Sequence, residues 1–388
     1  MKKTAIYIAS TGKNVGKTSL SIGLIGYLKK QGYKVAFMKP IGQRYKEIDG
    51  KKISKDVLLI KQTFNLDFDP SLMSPFIVER GITKKFITGE LKSPLPEIKK
   101  AFLELWQDSD VVVIEGTGHT GVGSVFGLSN SRIARELNAR VLFIVEGGIG
   151  STIDSFNLNR ALFEREGVKI SGVFVNKVKE EKLDSTVKIL RDYFKKEKIR
   201  FCGAFPYQSK LSMPSIQLLK DEIGAEFLKG PEFAERKMGE VVIGLNEAHI
   251  FIEELKKHRD DIFIVTSGDR SDILLALLAL LERNRVNLRG ILLTGNRPPS
   301  SILDFFQDKD IPILYVEENI FKISSLILNM SIKIDPFEKE KIRTLAGMFE
   351  QYADKKRIHA ILRAGTAEVK EPFIEKIKRF IKSFPFFK

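Results

Sequence analysis

The sequence predicts an α/β protein in which a parallel sheet with helices on both faces is followed by a second, smaller α/β domain. Short runs rich in Val, Ile and Phe alternate with helical patterns over residues 1–225, an arrangement that builds a covered parallel sheet. The same alternation restarts at residue 240. A chain of 388 residues is also longer than one domain usually needs, so each domain can form its own core.

Six apolar runs are the candidate strands of the first domain. Several of them are apolar at every position, which is typical of strands in the buried middle of a sheet. Residues 42–96 are less regular, and we expect them to form loops on the substrate side. The candidate strands are Ala5–Ala9, Val35–Met38, Val111–Ile114, Val141–Val145, Ile170–Val175 and Phe201–Phe205.

The second domain is predicted to span residues 240–355, after a linker at 226–239 that is charged and poor in apolar residues. A helix at 337–352 is expected to close this domain. Its candidate strands are Val241–Gly244, Ile262–Val265, Gly290–Leu293 and Ile311–Val316, and further candidate helices lie at 247–257 and 272–281.

Residues 356–388 form a basic C-terminal tail in this interpretation. From residue 370 onward apolar side chains recur at three- and four-residue spacing, with Lys and Arg mostly on the opposite face. Such a helix could lie on a membrane surface, or it could pack on its own domain or on a second copy of the chain. The sequence leaves both interpretations open.

The segment from Ser10 to Ser19 is the most specific motif, because it joins the first strand to the first helix and ends in Gly-Lys-Thr. In such a loop, backbone amides and the positive end of a helix dipole bind phosphate. Lys17 would reach the terminal phosphates, and the Thr18 hydroxyl would hold Mg²⁺. A helix N-cap with chance glycines is the alternative. The predicted cofactor-binding residues of this loop are Thr11, Gly12, Lys13, Asn14, Val15, Gly16, Lys17, Thr18 and Ser19.

Three further charged residues are candidates for the site, because ligands bind at the carboxyl ends of strands in such sheets. Two of them directly follow candidate strands, and the third opens a helix. Glu115 would be a second Mg²⁺ ligand, unless it only caps or pairs locally. Lys39 offers a second ammonium to a reacting anion. Asp56 opens an apolar helix as an N-cap or as a metal ligand. The predicted catalytic residues are therefore Lys17 and Lys39, and the predicted metal ligands are Thr18, Asp56 and Glu115.

The composition excludes several classes of site and protein. The single cysteine, Cys202, cannot form an intramolecular disulfide, and the four histidines lack the spacing of a zinc site. No apolar run reaches the ~18 residues of a membrane-spanning helix, and we expect a cytoplasmic protein without a cleaved leader. The net charge of +15 is spread along the chain without a recognition motif, so we expect no nucleic-acid partner.

The order of these motifs resembles the dethiobiotin synthetase-like branch of P-loop proteins, which includes the cobyrinic acid diamide synthases. The resemblance covers residues 1–225 and departs from dethiobiotin synthetase at Ser10 and at Lys13-Asn14. The matching segments are Gly16-Lys17-Thr18, Lys39-Pro40, Asp56, Glu115-Gly116, residues 147–152 and Asn176-Lys177-Val178.

This resemblance implies a P-loop NTPase fold with ATP and Mg²⁺ as cofactors. It implies that Lys17 and Lys39 face phosphate and substrate, and that Asn176 reads the adenine. The metal-ligating roles that it implies fall on the same threonine, aspartate and glutamate named above. A homodimer is a further expectation from the family.

The second domain is similar to the DRTGG domain at Gly268–Asp272 and Gly290–Asn296, although the naming motif is only partly kept. A P-loop domain followed by a DRTGG domain looks like the N-terminal portion of long-form phosphate acetyltransferases. We expect the acetyltransferase catalytic domain to be absent, because the chain ends before one could fit. Within the motif, Asp269-Arg270 either binds a ligand at a strand end or forms an ion pair that fixes a turn.

Two functions are consistent with these features. The first is an ATPase or an ATP-dependent C–N ligase that acts on a small carboxylate or amine, with catalysis by positioning and electrostatics. The second is a nucleotide-responsive regulatory protein without acetyltransferase activity, which requires that ATP bind two conformations with different affinity. The sequence does not decide between them.

Overall fold

The computed structural model describes residues 3–208, 211, 213–258, 261–283, 285–328, 330, 334, 336 and 338–365. These residues form two compact units. The first unit is built from the chain up to residue 207 and again from residue 334 onward, and the second unit from residues 208–333. The second unit is therefore an insertion between two parts of the first.

The first unit contains a six-stranded parallel sheet with the order β2-β5-β1-β6-β7-β8. All six strands predicted from the sequence are confirmed. In the centre, β1 pairs with β5 so that Ile8 lies opposite Glu115, and every residue of both strands is buried. The strands are β1 (Thr4–Ser10), β2 (Val35–Met38), β3 (Tyr45–Ile48), β4 (Lys51–Ser54), β5 (Val111–Glu115), β6 (Arg140–Glu146), β7 (Ile170–Val178) and β8 (Arg200–Pro206), of which β3 and β4 lie outside this sheet.

Helices connect the parallel strands and cover both faces of the sheet, as the alternating pattern predicts. The first helix begins at Lys17, directly after the phosphate-loop motif, and its apolar residues pack on β1 and β5. The helices of this part are α1 (Lys17–Lys30), α2 (Lys55–Phe64), α3 (Pro70–Met73), α4 (Ile82–Ile87), α5 (Leu95–Gln107), α6 (Asn130–Glu136), α7 (Gly150–Arg165) and α8 (Leu183–Lys196).

Residues 42–96, which we expected to form loops, contain a hairpin and helices α2 to α4. Strands β3 and β4 pair antiparallel across a two-residue turn formed by Asp49 and Gly50. Both turn residues have positive φ, 51° and 71°, as a tight turn between right-twisted strands requires. The excursion returns to the sheet where the Lys39 amide donates to the Met73 carbonyl oxygen (2.7 Å).

The second unit contains a five-stranded sheet with the order β10-β11-β12-β13-β9. The first four strands are parallel, and β9 is antiparallel to β13 at the edge. The elements of this unit are β9 (Glu226–Lys229), β10 (Glu240–Gly244), β11 (Ile262–Ser267), β12 (Leu288–Thr294) and β13 (Ile313–Val316), with helices α9 (Ile216–Ile223), α10 (Ala248–Leu255), α11 (Ser271–Glu282), α12 (Ser300–Asp304) and α13 (Ile320–Leu328).

The second unit begins earlier than the predicted boundary. Residues 226–239, predicted as a linker, include β9, whose Phe227 lies opposite Leu314 of β13. Residues before 226 belong to the same unit, because Ile216 and Leu219 of α9 are buried in one cluster with Phe263 of β11. The charged residues of this stretch belong to an edge strand and its turns, which explains why their composition resembles that of a linker.

The helix predicted to close the second domain packs on the first unit instead. It is α14 (Lys339–Tyr352), whose Phe349 is 2% exposed and lies against Gly23 of α1. Residues 355–364, assigned mostly to the tail by the sequence, form α15 (Lys355–Ala364), and the Thr4 hydroxyl donates to the Leu362 carbonyl oxygen of this helix (3.0 Å). The predicted amphipathic helix from residue 370 lies outside the described residues. Within the described ranges, no helix has both the length and the apolar character needed to cross a bilayer.

We predict that Gly23→Ala destabilises the first unit, whereas Gly26→Ala in the same helix is neutral or stabilising. A Cβ on Gly23 would lie 2.7 Å from Phe349 Cβ, but a Cβ on Gly26 would lie 3.5 Å from Phe64 Cε1. Overpacking costs about 1–3 kcal/mol, and alanine in place of a helical glycine contributes up to about 1 kcal/mol of stability. Urea unfolding followed by the fluorescence of the single tryptophan, Trp106 in α5, measures both free energies of unfolding. Equal effects of the two substitutions would contradict this packing of α14 on α1.

Candidate functional site

The loop between β1 and α1 has the backbone shape of an anion cradle. Asn14 and Gly16 have positive φ, 58° and 117°, and α1 begins at the next residue, Lys17. A Cβ on Gly16 would lie 2.1 Å from Asn176 Nδ2, so the close approach of β7 requires glycine there. The first N–H groups of a helix have no intrahelical partner, and those of α1 come directly after this loop.

Lys17 lies across this loop and is held by three oxygen atoms. Its Nζ donates to Ser10 Oγ (2.8 Å), to the Gly12 carbonyl oxygen (2.8 Å) and to the Gly118 carbonyl oxygen (2.9 Å). The sequence marks Ser10 only as a departure from dethiobiotin synthetase, and the structure shows that its hydroxyl contacts the loop lysine. The ammonium is thus already directed toward the loop.

Asn176, the residue to which the family resemblance assigns adenine reading, lies beneath the loop. Its Nδ2 donates to the Val15 carbonyl oxygen (2.7 Å). The same strand, β7, is therefore tied to the middle of the phosphate loop by a side-chain hydrogen bond. This contact was not predicted from the sequence, which gives the residue types but not the distance between Asn176 and Val15.

Lys39, Asp56 and Glu115, predicted from separate parts of the sequence, form one buried cluster. Lys39 Nζ lies 3.1 Å from Asp56 Oδ2 and 2.8 Å from Glu115 Oε1. The three side chains are 5%, 8% and 1% exposed, so the cluster is almost entirely removed from water. Lys39 Nζ also donates to the Gly116 carbonyl oxygen (3.0 Å). One ammonium therefore bridges the two carboxylates.

The start of α1 contacts the same cluster through two hydroxyls. Thr18 Oγ1 donates to Glu115 Oε1 (3.0 Å), and Ser21 Oγ donates to Glu115 Oε2 (2.8 Å). Thr18 was predicted as a site residue, whereas Ser21 was missed. A signal was available, because Ser21 lies one helical turn after Lys17 in an otherwise apolar stripe of α1.

The charges in this cluster stabilise one another. Burial opposes the charged form of Lys39, but Asp56 and Glu115 outweigh it, and the pKa of the Lys39 ammonium lies above its ordinary value. Lys39 therefore stays charged in this environment. Removing one member of such a cluster leaves the others as uncompensated buried charges.

The loop after β5 provides backbone oxygens to both lysines, and Asn130 determines its shape. Asn130 Nδ2 donates to the Thr117 and His119 carbonyl oxygens (2.9 and 2.6 Å), and its Oδ1 accepts from the Thr117 amide (3.0 Å). Tyr7, which is fully buried in β1, donates to the same Oδ1 (2.8 Å). Sequence reasoning missed both residues, because Asn130 is at the first position of α6 and nothing local links it to residues 116–119.

The oxygen atoms around Glu115 are the donors that Mg²⁺ prefers. Asp56 and Glu115 provide carboxylates, and Thr18 provides a hydroxyl. Within the part of the chain that the structure describes, no group of three or more His, Cys, Asp and Glu side chains could hold a metal ion. Two carboxylates and one hydroxyl would leave the remaining coordination positions of a cation to phosphate oxygens and water, which is how Mg²⁺ usually binds at phosphate sites.

In the second unit, the contacts of Arg270 favour the turn-fixing alternative. Arg270 pairs with Asp272 rather than with its neighbour Asp269, through Nε and Nη2 (2.8 and 2.7 Å). Its Nη1 and Nη2 also donate to the Leu245 and Asn246 carbonyl oxygens (3.0 and 2.7 Å). Most of its donors are therefore used to hold the turn after β10 against the start of α11.

Comparison with known protein families gives two matches along the chain. A family described as an AAA domain matches residues 4–215, and one described as a DRTGG domain matches residues 219–330. Both domains that the sequence resembles are thus confirmed, in the predicted order.

Relatives of two kinds match the chain. Phosphate acetyltransferase of Pseudomonas putida is 28% identical over 372 residues, which cover 93% of this chain and 52% of that protein. Phosphate acetyltransferase of Nitratidesulfovibrio vulgaris is 25% identical, covering 91% and 51%. ATP-dependent dethiobiotin synthetase of Clostridium kluyveri is 26% identical over 185 residues, covering 45% of this chain and 75% of that protein. The chain spans about half the length of the phosphate acetyltransferases that it matches.

Tyr7→Phe is predicted to lower stability at neutral pH and to lose this disadvantage in alkali. Burial, and then the charge of Glu115, raise the pKa of Tyr7 above its ordinary value. The folded state therefore keeps the Tyr7 proton more firmly than the unfolded state, and wild-type stability falls as the pH rises through about 10. At pH 7 the free energy of unfolding of the variant should be about 1 kcal/mol lower than that of the wild type, because one hydrogen bond is lost. Above pH 10 the free energy of unfolding of the wild type should fall by about 1.4 kcal/mol per pH unit relative to that of the variant.

Urea unfolding of both proteins between pH 7 and pH 11 checks this expectation. Tyr207→Phe is the matched control, because Tyr207 is 45% exposed and lies outside the buried contacts of Asn130. Parallel stability curves for wild type and Tyr7→Phe would show that the Tyr7 hydroxyl is not held in its neutral form.

Proposed function

Because the chain belongs to the AAA domain family matched over residues 4–215, we propose that its first unit binds ATP with Mg²⁺ and hydrolyses it. The observation that carries the proposal is the convergence of two lysines, two carboxylates and a threonine beside the phosphate-loop motif. An N-cap with chance glycines would not require these residues to meet.

Each residue has a role that its contacts support. Lys17 lies over the loop, where its ammonium can bind the terminal phosphates in place of the Gly12 and Gly118 carbonyl oxygens. Thr18, Asp56 and Glu115 would hold the metal, and bound Mg²⁺ would neutralise charge on the phosphate oxygens. Lys39 supplies a second ammonium on the same side of the sheet. Together these groups stabilise charge rather than form a covalent intermediate.

The acceptor that we propose for the phosphoryl group is a small carboxylate or carbamate, as expected for an ATP-dependent C–N ligase. The similarity to ATP-dependent dethiobiotin synthetase supports this reaction class. The excursion between β2 and α5 returns to the end of β2 through the Lys39–Met73 and Gly42–Phe76 backbone hydrogen bonds (2.7 and 2.9 Å). This excursion provides residues next to Lys39 from which a substrate pocket can be built.

Nucleotide-responsive regulation is a second candidate, and a specific observation favours it. The alignments with phosphate acetyltransferases cover both units of this chain, whereas the alignment with dethiobiotin synthetase covers less than half of it. A role shared with phosphate acetyltransferases would therefore use the two units together. In that case ATP would act by binding one conformation more tightly than another.

We predict that Lys17→Ala weakens Mg-ATP binding at least about tenfold, because a buried ammonium at the phosphates contributes more than about 1.4 kcal/mol. Isothermal titration calorimetry measures the dissociation constant of each protein. Lys188→Ala is the matched control, since Lys188 is exposed on α8, and it should bind ATP as the wild type does. Equal affinities of wild type and Lys17→Ala would end the proposal.

ATP turnover in the presence of small diamines and dicarboxylates separates the two candidates. We predict that one compound of such a panel stimulates phosphate release by the wild type, because a ligase couples hydrolysis to its acceptor. The Glu115→Gln variant measures the background rate of phosphate release, since the substitution removes the charge of a proposed metal ligand. Slow hydrolysis that no compound changes would favour the regulatory function.

A further inference from the structure

Lys39 occupies an unusual position, since its ammonium lies between the two carboxylates proposed to bind the metal. Its Nζ is 3.1 Å from Asp56 Oδ2 and 2.8 Å from Glu115 Oε1, with all three side chains at most 8% exposed. Two buried carboxylates this close to one cation would repel each other without it. In this structure the Lys39 ammonium supplies the positive charge that offsets this repulsion.

Lys39 and Thr18 contact the same atom. Thr18 Oγ1 donates to Glu115 Oε1 at 3.0 Å, and Lys39 Nζ donates to it at 2.8 Å. A divalent cation held by Thr18 and Glu115 would need the oxygen that the ammonium now holds. Two cations cannot share such a small volume without strong repulsion, so binding of one requires the other to withdraw.

Lys39 has a direction in which to withdraw. Lys39 comes directly after β2, and its Nζ donates to the Gly116 carbonyl oxygen. Lys17 of the phosphate loop donates to the Gly118 carbonyl oxygen, two residues further along the same segment. A phosphate bound at the loop would therefore place an anion on the side of the sheet where Lys39 lies. The flexible stem of lysine allows its ammonium to change partners at small cost. A nucleotide would thus provide a new anionic partner for Lys39.

We infer that Lys39 is the internal counter-ion of the metal site, which neutralises Asp56 and Glu115 before nucleotide binds and withdraws from at least one of them when the metal enters. This inference rests on the proposed function, because it takes Thr18, Asp56 and Glu115 as metal ligands. It follows that the wild type has little affinity for Mg²⁺ alone. It also follows that removing the ammonium should create a site that binds Mg²⁺ without nucleotide.

The test is thermal unfolding of nucleotide-free protein in EDTA and in millimolar Mg²⁺. The wild type should unfold at the same temperature in both. Lys39→Met should unfold roughly 5–15 °C lower in EDTA, since two buried carboxylates lose their cation, and Mg²⁺ should restore much of that loss. Lys39→Gln, a polar and still uncharged variant, should behave in the same way, whereas Lys39→Arg should not respond to Mg²⁺.

The matched control is the triple variant Lys39→Met/Asp56→Asn/Glu115→Gln, which lacks both the ammonium and the carboxylates. It should show no response to Mg²⁺. Stabilisation of the wild type by Mg²⁺ alone, or an equal response of the triple variant, would overturn the inference. A Lys39→Met protein that folds only in Mg²⁺ would support the inference. If Lys39→Met fails to fold both in EDTA and in Mg²⁺, and Lys39→Gln does not respond to Mg²⁺, the result counts against the inference.

Calorimetric titration with ATP keeps this inference separate from the proposed function. If the wild type binds ATP through Lys17 but the Lys39 variants do not respond to Mg²⁺, only the counter-ion role of Lys39 is contradicted. Absence of ATP binding by the wild type would remove the proposed function, and the Mg²⁺ response of Lys39→Met would then identify a metal site without nucleotide.

Discussion

Glu115 is a carboxylate with 1% of its side chain exposed, and the need to give it partners organises the first unit. Thr18 and Ser21 reach it from α1, and Lys39 reaches it from the end of β2. These partners can meet because β1, β2 and β5 are parallel and in register, so their carboxyl ends lie at one edge of the sheet. The need to give Glu115 hydrogen-bond partners also explains why α1 carries the polar residues Thr18 and Ser21 on the side that faces the sheet.

A second layer of contacts fixes the backbone to which the charged side chains bind. The carbonyl oxygens of residues 116 and 118 accept from the two lysines, and Asn130 with Tyr7 holds the loop that carries these oxygens. The site is therefore positioned by buried hydrogen bonds that do not depend on a ligand. Such preorganisation holds the backbone oxygens around the two lysines in place, so that only side chains need to move if a ligand binds.

The strands of the first sheet and the four parallel strands of the second could be predicted, because buried strands read as continuous apolar runs. The edge strand β9 could not, since its charged residues resemble a linker. The positions of Lys17 at the start of α1 and of Glu115 at the end of β5 could be predicted, because a motif and a strand end each define one place in the fold. The Asp49-Gly50 turn carries a hairpin signal, but its strands are short and polar, so the periodicity is weak. The position of α14 could not be predicted. An amphipathic helix shows that one face is buried, but not which surface covers it. The structure identifies that surface through contacts such as the one between Phe349 and Gly23.

The insertion of residues 208–333 into the first unit has a consequence for synthesis of the chain. Helices α14 and α15 leave the ribosome after the whole second unit, yet they pack on α1 and β8, which are made before it. The nascent first unit must therefore wait with the Gly23 side of α1 uncovered, while the second unit already has all of its strands. Vectorial synthesis thus favours completion of the second unit before the first, the reverse of the usual N-to-C order.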